Sequence, residues 1–265
     1  MNAGTRLRAE ALRAHHGARE VLKGIDLALP AGGFTVIVGP NACGKSTLLR
    51  SLARLHRPSG GTVLLDGLSI ARYRPRDRAR LLAVLPQGAE APEGITVVDL
   101  VARGRHPHRS LFQPWTAADQ TAVETAMVSA GVSLLAERRL ESLSGGQRQK
   151  AWIAMALAQG ADILLLDEPT TFLDLAHQID VLELCVALNR AGTTIVAVLH
   201  DLNQAARYAS RLVVMRAGEI VAQGLPEDLL TPGFIDAIFH VPCIVMPDPL
   251  TGKPLIVPKP VPPSR

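Results

Sequence analysis

The stretch GPNACGKST, Gly39 to Thr47, carries its glycines, lysine and hydroxyls at the spacing G-x-x-x-x-G-K-[ST]. Set between a strand and a helix, such a loop turns backbone N–H groups and a helix N-terminus toward one point, which suits a phosphate. All nine residues are candidate contacts: Gly39, Pro40, Asn41, Ala42, Cys43, Gly44, Lys45, Ser46 and Thr47. Lys45 has the reach for β- and γ-phosphate oxygens, and the Ser46 hydroxyl is a Mg²⁺ ligand in such loops. Ala42 stands where many of them carry glycine, which is harmless at negative φ and costly at positive φ. Cys43 reads as a small tolerated side chain, and its position predicts that bound nucleotide shields it from a thiol alkylator.

A second set of groups lies downstream. ILLLDEPTTFLD, Ile163 to Asp174, ends an apolar run in two carboxylates. Asp167 suits a Mg²⁺ ligand beside the strand of the glycine-rich loop, and Glu168 suits a general base toward an attacking water. His200 closes TTIVAVLH at the same sheet edge, where open α/β sheets bind ligands. His106 and His108, in GRHPHRS, lack a third ligand at metal-site spacing and read as an exposed loop. In ESLSGGQRQKAWIAMALAQ, Glu141 to Gln159, Ser144, Gly145 and Gly146 cap a helix that begins near Gln147. Backbone N–H groups and the helix dipole there attract an anion, so the chain owns two phosphate cradles.

The elements that must position these groups alternate strand with helix, which gives an α/β core. GGFTVIVG predicts a buried strand from Phe34 to Gly39, feeding the helix KSTLLRSLARL, and GTVLLDG predicts an edge strand. From Gly94 to Ala158 helical spacing takes over, with Thr116 as an N-cap and Gly131 as a stop. Strand signals then return in ADILLLD and TTIVAVLH, around a helix that puts Leu175, Ile179, Leu182 and Val186 on one face and ends at Gly192. Beyond Leu225 the chain is proline-rich, and its last residues read as a frayed tail.

Bulk composition narrows the classes. The chain has 265 residues, 48% hydrophobic and 20% charged, enough for a full core. No apolar run reaches the length of a spanning helix, the N-terminal stretch lacks a secretory apolar core, and the three cysteines form no close pair. A cytoplasmic protein is expected. The net charge of +4 is modest, and the basic run Ala71 to Arg80 reads as a solvated helix or turn rather than a nucleic-acid face.

Together these stretches resemble the ATP-binding-cassette ATPases. LSGGQ, Leu143 to Gln147, is similar to the family signature; Gln87 resembles the Q-loop residue, Asp174 the D-loop aspartate and His200 the switch histidine. The resemblance runs from about Leu12 to Pro226. It implies a P-loop NTPase (RecA-like) core sheet, an N-terminal antiparallel β subdomain and an inserted helical subdomain. The corresponding boundaries are 1–90 and 160–225 for the core, 91–159 for the helical part and 226–265 for a C-terminal extension. It further implies ATP and Mg²⁺, the metal held by Ser46, Gln87 and Asp167, and catalysis by Glu168, His200 and Gln87. His16 stands where the family stacks adenine on an aromatic ring.

In that family two cassettes meet head to tail, so the second cradle, Ser144 to Gln147 with Asp174, faces the nucleotide of a second copy. ITVVDLVARGRHPHRSLF, DEPTTFLDLAHQIDVLELC and DPLTGKPLIVP resemble the ATPase subunits of bacterial ferric-siderophore importers, a group related to those for haem and vitamin B12. The implied partners are a second copy, integral-membrane permease subunits docked near Gln87 and the residues after Thr96, and indirectly a substrate-binding protein. No nucleic acid is expected, and the place is the cytoplasmic face of the inner membrane. The alternatives are a cassette for another chelate or cofactor such as haem or vitamin B12, a non-transport cassette acting on ribosomes or DNA, and a module that binds ATP without hydrolysing it.

Overall fold

The computed structural model describes residues 4–110 and 114–260. β1 (Thr5–His16) and β2 (Arg19–Pro30) precede β3 (Phe34–Val38) and α1 (Lys45–Leu52). β4 (Gly60–Leu65), the two-residue β5 (Leu68–Ser69), α2 (Pro75–Leu81) and β6 (Leu82–Leu85) follow. A helical stretch comes next, with α3 (Val97–Ala102), α4 (Ala117–Ser129) and α5 (Gly145–Ala158). β7 (Ile163–Asp167), α6 (Leu175–Arg190) and β8 (Thr194–Val198) lead to α7 (Leu202–Tyr208), β9 (Arg211–Arg216) and β10 (Glu219–Gly224). α8 (Pro226–Leu229), α9 (Pro232–Phe239), β11 (Cys243–Pro247) and β12 (Pro254–Pro258) complete the order. The chain divides into two compact units, Met1–Ser69 with Val196–Arg265, and Ile70–Ile195.

In the first unit a four-stranded sheet has the order β2-β1-β4-β5, with antiparallel neighbours. Strand β1 buries Leu7 and Ala9, then Leu12 and Ala14. The phase slips by one residue at Ala11, whose φ is 45° and whose N–H donates to Asp26 Oδ1 at 2.9 Å. This bulge returns the apolar side chains to the core face, and it hides the strand from a strict period-2 reading. The edge position expected for GTVLLDG is corrected: β4 lies between β1 and β5. Asp66 and Gly67, at φ 48° and 80°, form a two-residue turn that folds Leu68 back onto Leu65. The same unit pairs β3 parallel to β9, and β9 antiparallel to β10. All five residues of β3 are buried, as a strand covered on both faces requires. Past β8, Leu199 donates its N–H to Ile37 O at 3.2 Å, holding that end of the strand beside β3.

In the second unit β6 runs parallel to β7, and Thr194 at the start of β8 donates to Asp162 O at 2.8 Å. The N-cap and stop expected for α4 are observed. Thr116 and Asp119 form a reciprocal capping box, and Gly131 follows the helix at φ 67°. Asp119, 4% exposed, also takes the Arg105 guanidinium at 2.9 Å, and Arg105 donates in turn to Ala158 O at the end of α5. The Thr116 hydroxyl and then Arg105 push the Asp119 carboxyl down to about 2.

Two expectations for this unit are corrected. Helix α6 stops at Arg190, with Gly192 just beyond it at φ 105° as the stop, but its buried stripe is Val181, Leu182 and Cys185, while Leu175 and Ile179 are 70% and 42% exposed. The N-terminal half of α6 turns its apolar residues outward, so only the second half packs as a core helix. His106 and His108 lie in a 3-10 segment, Arg103–His108, rather than an exposed loop, and His108 Nε2 hydrogen-bonds Gln159 O at 2.8 Å. The basic run becomes α2 with no buried residue, its Arg80 donating to Pro107 O at 2.9 Å. That fits the solvated-helix expectation.

The proline-rich end of the chain is structured as far as Pro260, with helices α8 and α9 and the antiparallel hairpin β11–β12. The expected frayed tail lies, from residue 261, outside the described residues. Among the described residues no helix is long and apolar enough to cross a membrane.

Candidate nucleotide-binding and catalytic site

The loop from Gly39 to Gly44 leaves β3 and enters α1 in the first unit. Its tightness has a local cause: a Cβ on Gly39, at φ 157°, would overlap Met215 O of β9, so the loop packs directly against neighbouring backbone. Ala42 is at φ 59°, the costly case for a residue with a Cβ. Gly44, the N-cap of α1, gives no side-chain cap, which leaves the first amides of the helix for another acceptor. Lys45, 5% exposed, donates from Nζ to Gly39 O at 2.8 Å and Pro40 O at 3.1 Å. The lysine thus folds back over its own loop, its charge held at the mouth of the cradle.

Cys43 is 5% exposed, and burial pushes its thiol up. It is therefore a poor thiolate even without nucleotide, so shielding by bound nucleotide would add to that of burial. His16, at the end of β1, hydrogen-bonds Thr47 Oγ1 through Nε2 at 3.1 Å and faces the His56 ring at 4.8 Å between centroids. His200 follows β8 in the same unit and is exposed.

The second unit brings together Gln87, Asp167, Glu168, Asp174 and the helix start at Ser144. Gln87 Nε2 donates to Glu168 Oε2 at 2.7 Å, and the Thr171 hydroxyl donates to the same oxygen at 3.1 Å. Glu168 sits at φ 54°, a strained conformation that turns its side chain sharply off the end of β7. Asp167, one residue earlier, is 1% exposed. A cleft of about 200 Å³ opens over this cluster, bordered by Gln87, Glu168, Gly145, Arg148 and Trp152. Gln87 donates through its nitrogen, so the carboxamide oxygen is what it can offer a cation. That oxygen and the Asp167 carboxylate are hard donors of the kind Mg²⁺ takes.

Helix α5 begins at Gly145, earlier than the Gln147 expected, with Ser144 as its N-cap. Ser144 Oγ accepts from Gln147 N at 3.2 Å, and Gln147 Oε1 accepts from Ser144 N at 3.2 Å. A Cβ on Gly146 would overlap the His177 ring, so glycine is required there for close approach to α6. His177 in turn donates its backbone N–H to Asp174 Oδ1 at 2.9 Å and places Nδ1 at 2.6 Å from the same atom. These bonds hold the Asp174 carboxyl below the usual range, the backbone one first.

Thr171 and His177 escaped the sequence reading. Each lies three residues after an acid it touches, the spacing of a local side-chain turn or N-cap, and that spacing was the available signal.

Comparison with known proteins follows the same residues. The sequence pattern described as ABC transporter matches residues 22–171. The ferric enterobactin transport ATP-binding protein FepC of Escherichia coli is 52% identical over 254 residues, covering 96% of this chain and 94% of that protein. The petrobactin import ATP-binding protein FpuD of Bacillus anthracis is 46% identical, covering 95% and 93%. Among solved structures, a metal-chelate type ABC transporter in an inward-facing conformation superimposes with a TM-score of 0.83 at 30% identity, covering 97% of this chain and 98% of that one. With the phosphate-shaped loop, the signature helix and the acid pair in hand, the chain belongs to the ABC transporter family as one of its ATP-binding, ATP-hydrolysing proteins.

Proposed function

We propose that this chain powers an importer for an iron(III)-siderophore complex, binding ATP between two copies of itself and docking beneath a membrane permease. The pairing of Gln87 with a strained Glu168 carries the catalytic part of the reading. The names of the relatives, which import ferric enterobactin and petrobactin, carry the choice of cargo. In this reading residues 1–90 and 160–225 are the nucleotide-binding core, 91–159 the helical subdomain and 226–265 an extension.

The backbone amides of Gly39 to Thr47 receive the phosphates. Lys45 exchanges two carbonyl oxygens of its loop for β- and γ-phosphate oxygens. His16 faces the base. Ser46, Gln87 and Asp167 offer a hydroxyl, a carboxamide and a carboxylate to Mg²⁺, a cation that draws charge off the phosphate oxygens when bound. Glu168 takes a proton from the attacking water, held in place by Gln87 and Thr171. His200 touches the γ-phosphate. Ser144, Gly145, Gly146 and Gln147, with Asp174, receive the nucleotide carried by the second copy.

The chain then works on the cytoplasmic face of the inner membrane, with a substrate-binding protein delivering the chelate on the far side and no nucleic acid involved. The test is an affinity pull-down of tagged Glu168→Gln protein with ATP from detergent-solubilised cells, read by mass spectrometry. Recovery of a many-helix permease supports the importer, and loss of siderophore-dependent iron uptake in cells without the chain supports the cargo. Recovery of ribosomes or DNA-bound proteins instead contradicts both.

A further inference from the structure

His200 is only as well placed as the short helix that follows it. Helix α7, Leu202–Tyr208, is seven residues long, too short to hold itself in water. Asp201 caps its start, accepting from Gln204 N at 2.9 Å, and Ala205 and Ala206 bury its inner face. Further fixings come from the C-terminal hairpin β11–β12, more than forty residues downstream.

The Asn203 side chain bonds both backbone groups of Ile256. Its Nδ2 donates to Ile256 O at 3.1 Å, and its Oδ1 accepts from Ile256 N at 2.7 Å. At the other end of α7, Lys253 Nζ donates to Ala209 O at 2.9 Å, satisfying a carbonyl just past the helix. Arg207 approaches Asp248 at 4.0 Å, and Asp248 is itself fixed in the hairpin turn by the N–H groups of Leu250 and Thr251 at 2.8 and 3.0 Å. The hairpin therefore holds α7 near both of its ends.

On the strand side, Leu199 is tied to β3 through Ile37 O. His200 thus sits between two fixed points, one on β3 and one on the braced helix. We infer that the β11–β12 hairpin is a positioning element for hydrolysis, with Asn203 as the residue through which it sets His200. The inference rests on the role proposed above for His200. It gives the C-terminal extension a catalytic purpose: moving or displacing the hairpin loosens α7 and lowers turnover while leaving the phosphate loop untouched.

The experiment is steady-state ATP hydrolysis by the full chain, with kcat and KM separated, for Asn203→Ala, Asn203→Asp, His200→Ala and the double variant His200→Ala/Asn203→Ala. Asn203→Ala is expected to lower kcat about ten-fold with KM for ATP unchanged. Asn203→Asp, which keeps the acceptor for Ile256 N but sets a carboxylate oxygen against Ile256 O where the amide donated, should be at least as slow as Asn203→Ala. The double variant should be no slower than His200→Ala alone, because the two residues act as one unit. Lys253→Ala, which releases the other end of α7, is expected to give a smaller loss of the same kind, and nucleotide binding by each variant reports that the protein is folded. Wild-type kcat in Asn203→Ala, or a loss that adds fully to that of His200→Ala, overturns the brace while leaving His200 in the reaction. Unchanged turnover in His200→Ala removes the histidine's role, and the brace's purpose with it.

Discussion

Two helix starts in this chain are shaped for an anion, and they differ in how they treat their own amides. At α1 the cap is a glycine at φ 107° with no side chain to offer, and the first helical residue is a lysine. Its loop is strained at Ala42 and closed over by Lys45, which already holds two of the loop's carbonyls. At α5 an exposed serine and a glutamine satisfy each other's backbone N–H, an ordinary capping box. Gly145 and Gly146 keep the first two amides of that helix, which have no intrahelical acceptor. The first site stores strain and brings its own cation, which in the proposed reading lets it hold a polyphosphate unaided. The second is relaxed and relies on dipole and backbone amides, with Arg148 turned back to Leu143 O, which suits a phosphate presented by another body.

The largest effects should separate the two sites. Lys45→Ala is expected to abolish nucleotide binding, and unchanged affinity in a fluorescent-nucleotide titration would remove the loop from its assigned place. Glu168→Gln should keep ATP bound and lose hydrolysis by about 10² to 10⁴-fold, read by phosphate release. Near-normal turnover would mean that the strained carboxylate is not the base. Ser144→Arg should leave the affinity of the single chain for ATP intact and stop self-association, which a binding curve and a mass measurement distinguish.

A smaller effect sharpens the comparison at α5. The buried Arg105–Asp119 pair ties α4 to the carboxyl end of that helix. Asp119→Ala leaves Arg105 buried without its carboxylate and should cost about 3 kcal/mol in chemical denaturation. The folded Asp119 carboxyl titrates near 2, below the roughly 4 of an unfolded chain. Its stabilisation is therefore complete above about pH 4 and is lost as pH falls toward 2. The stability gap between wild type and Asp119→Asn should close over that range, and a gap that widens toward acid would contradict the assignment. The smallest effect belongs to the loop: Ala42→Gly relieves a left-handed alanine and should stabilise the chain by up to about 1 kcal/mol. Destabilisation there would show that the strain is offset by contacts of the methyl group.

These differences were legible in the sequence to unequal degrees. Lys45, Asp167, Glu168 and Ser144 could be found because their spacing is fixed by a loop, a strand end and a helix cap, all local devices. The strand β1 was hidden, since the bulge at Ala11 moves its buried positions from 7 and 9 to 12 and 14. The face of α6 was misread because four apolar residues at helical spacing define a stripe but do not say how far along the helix a neighbour covers it. The hairpin's hold on Asn203 depends on a backbone pair 53 residues away, which no periodicity announces. Strain at Glu168 likewise follows from tertiary packing and has no composition signal, whereas Ala42 stands where many such loops carry glycine and so announced its own strain.

The most direct test of the two-cradle account is the solution mass of Glu168→Gln protein with and without Mg-ATP, beside the same measurement on Glu168→Gln/Ser144→Arg. The account predicts that ATP doubles the mass of the first and leaves the second a nucleotide-bound single chain. Doubling that persists with arginine at the helix start, or no doubling in either protein, would contradict it.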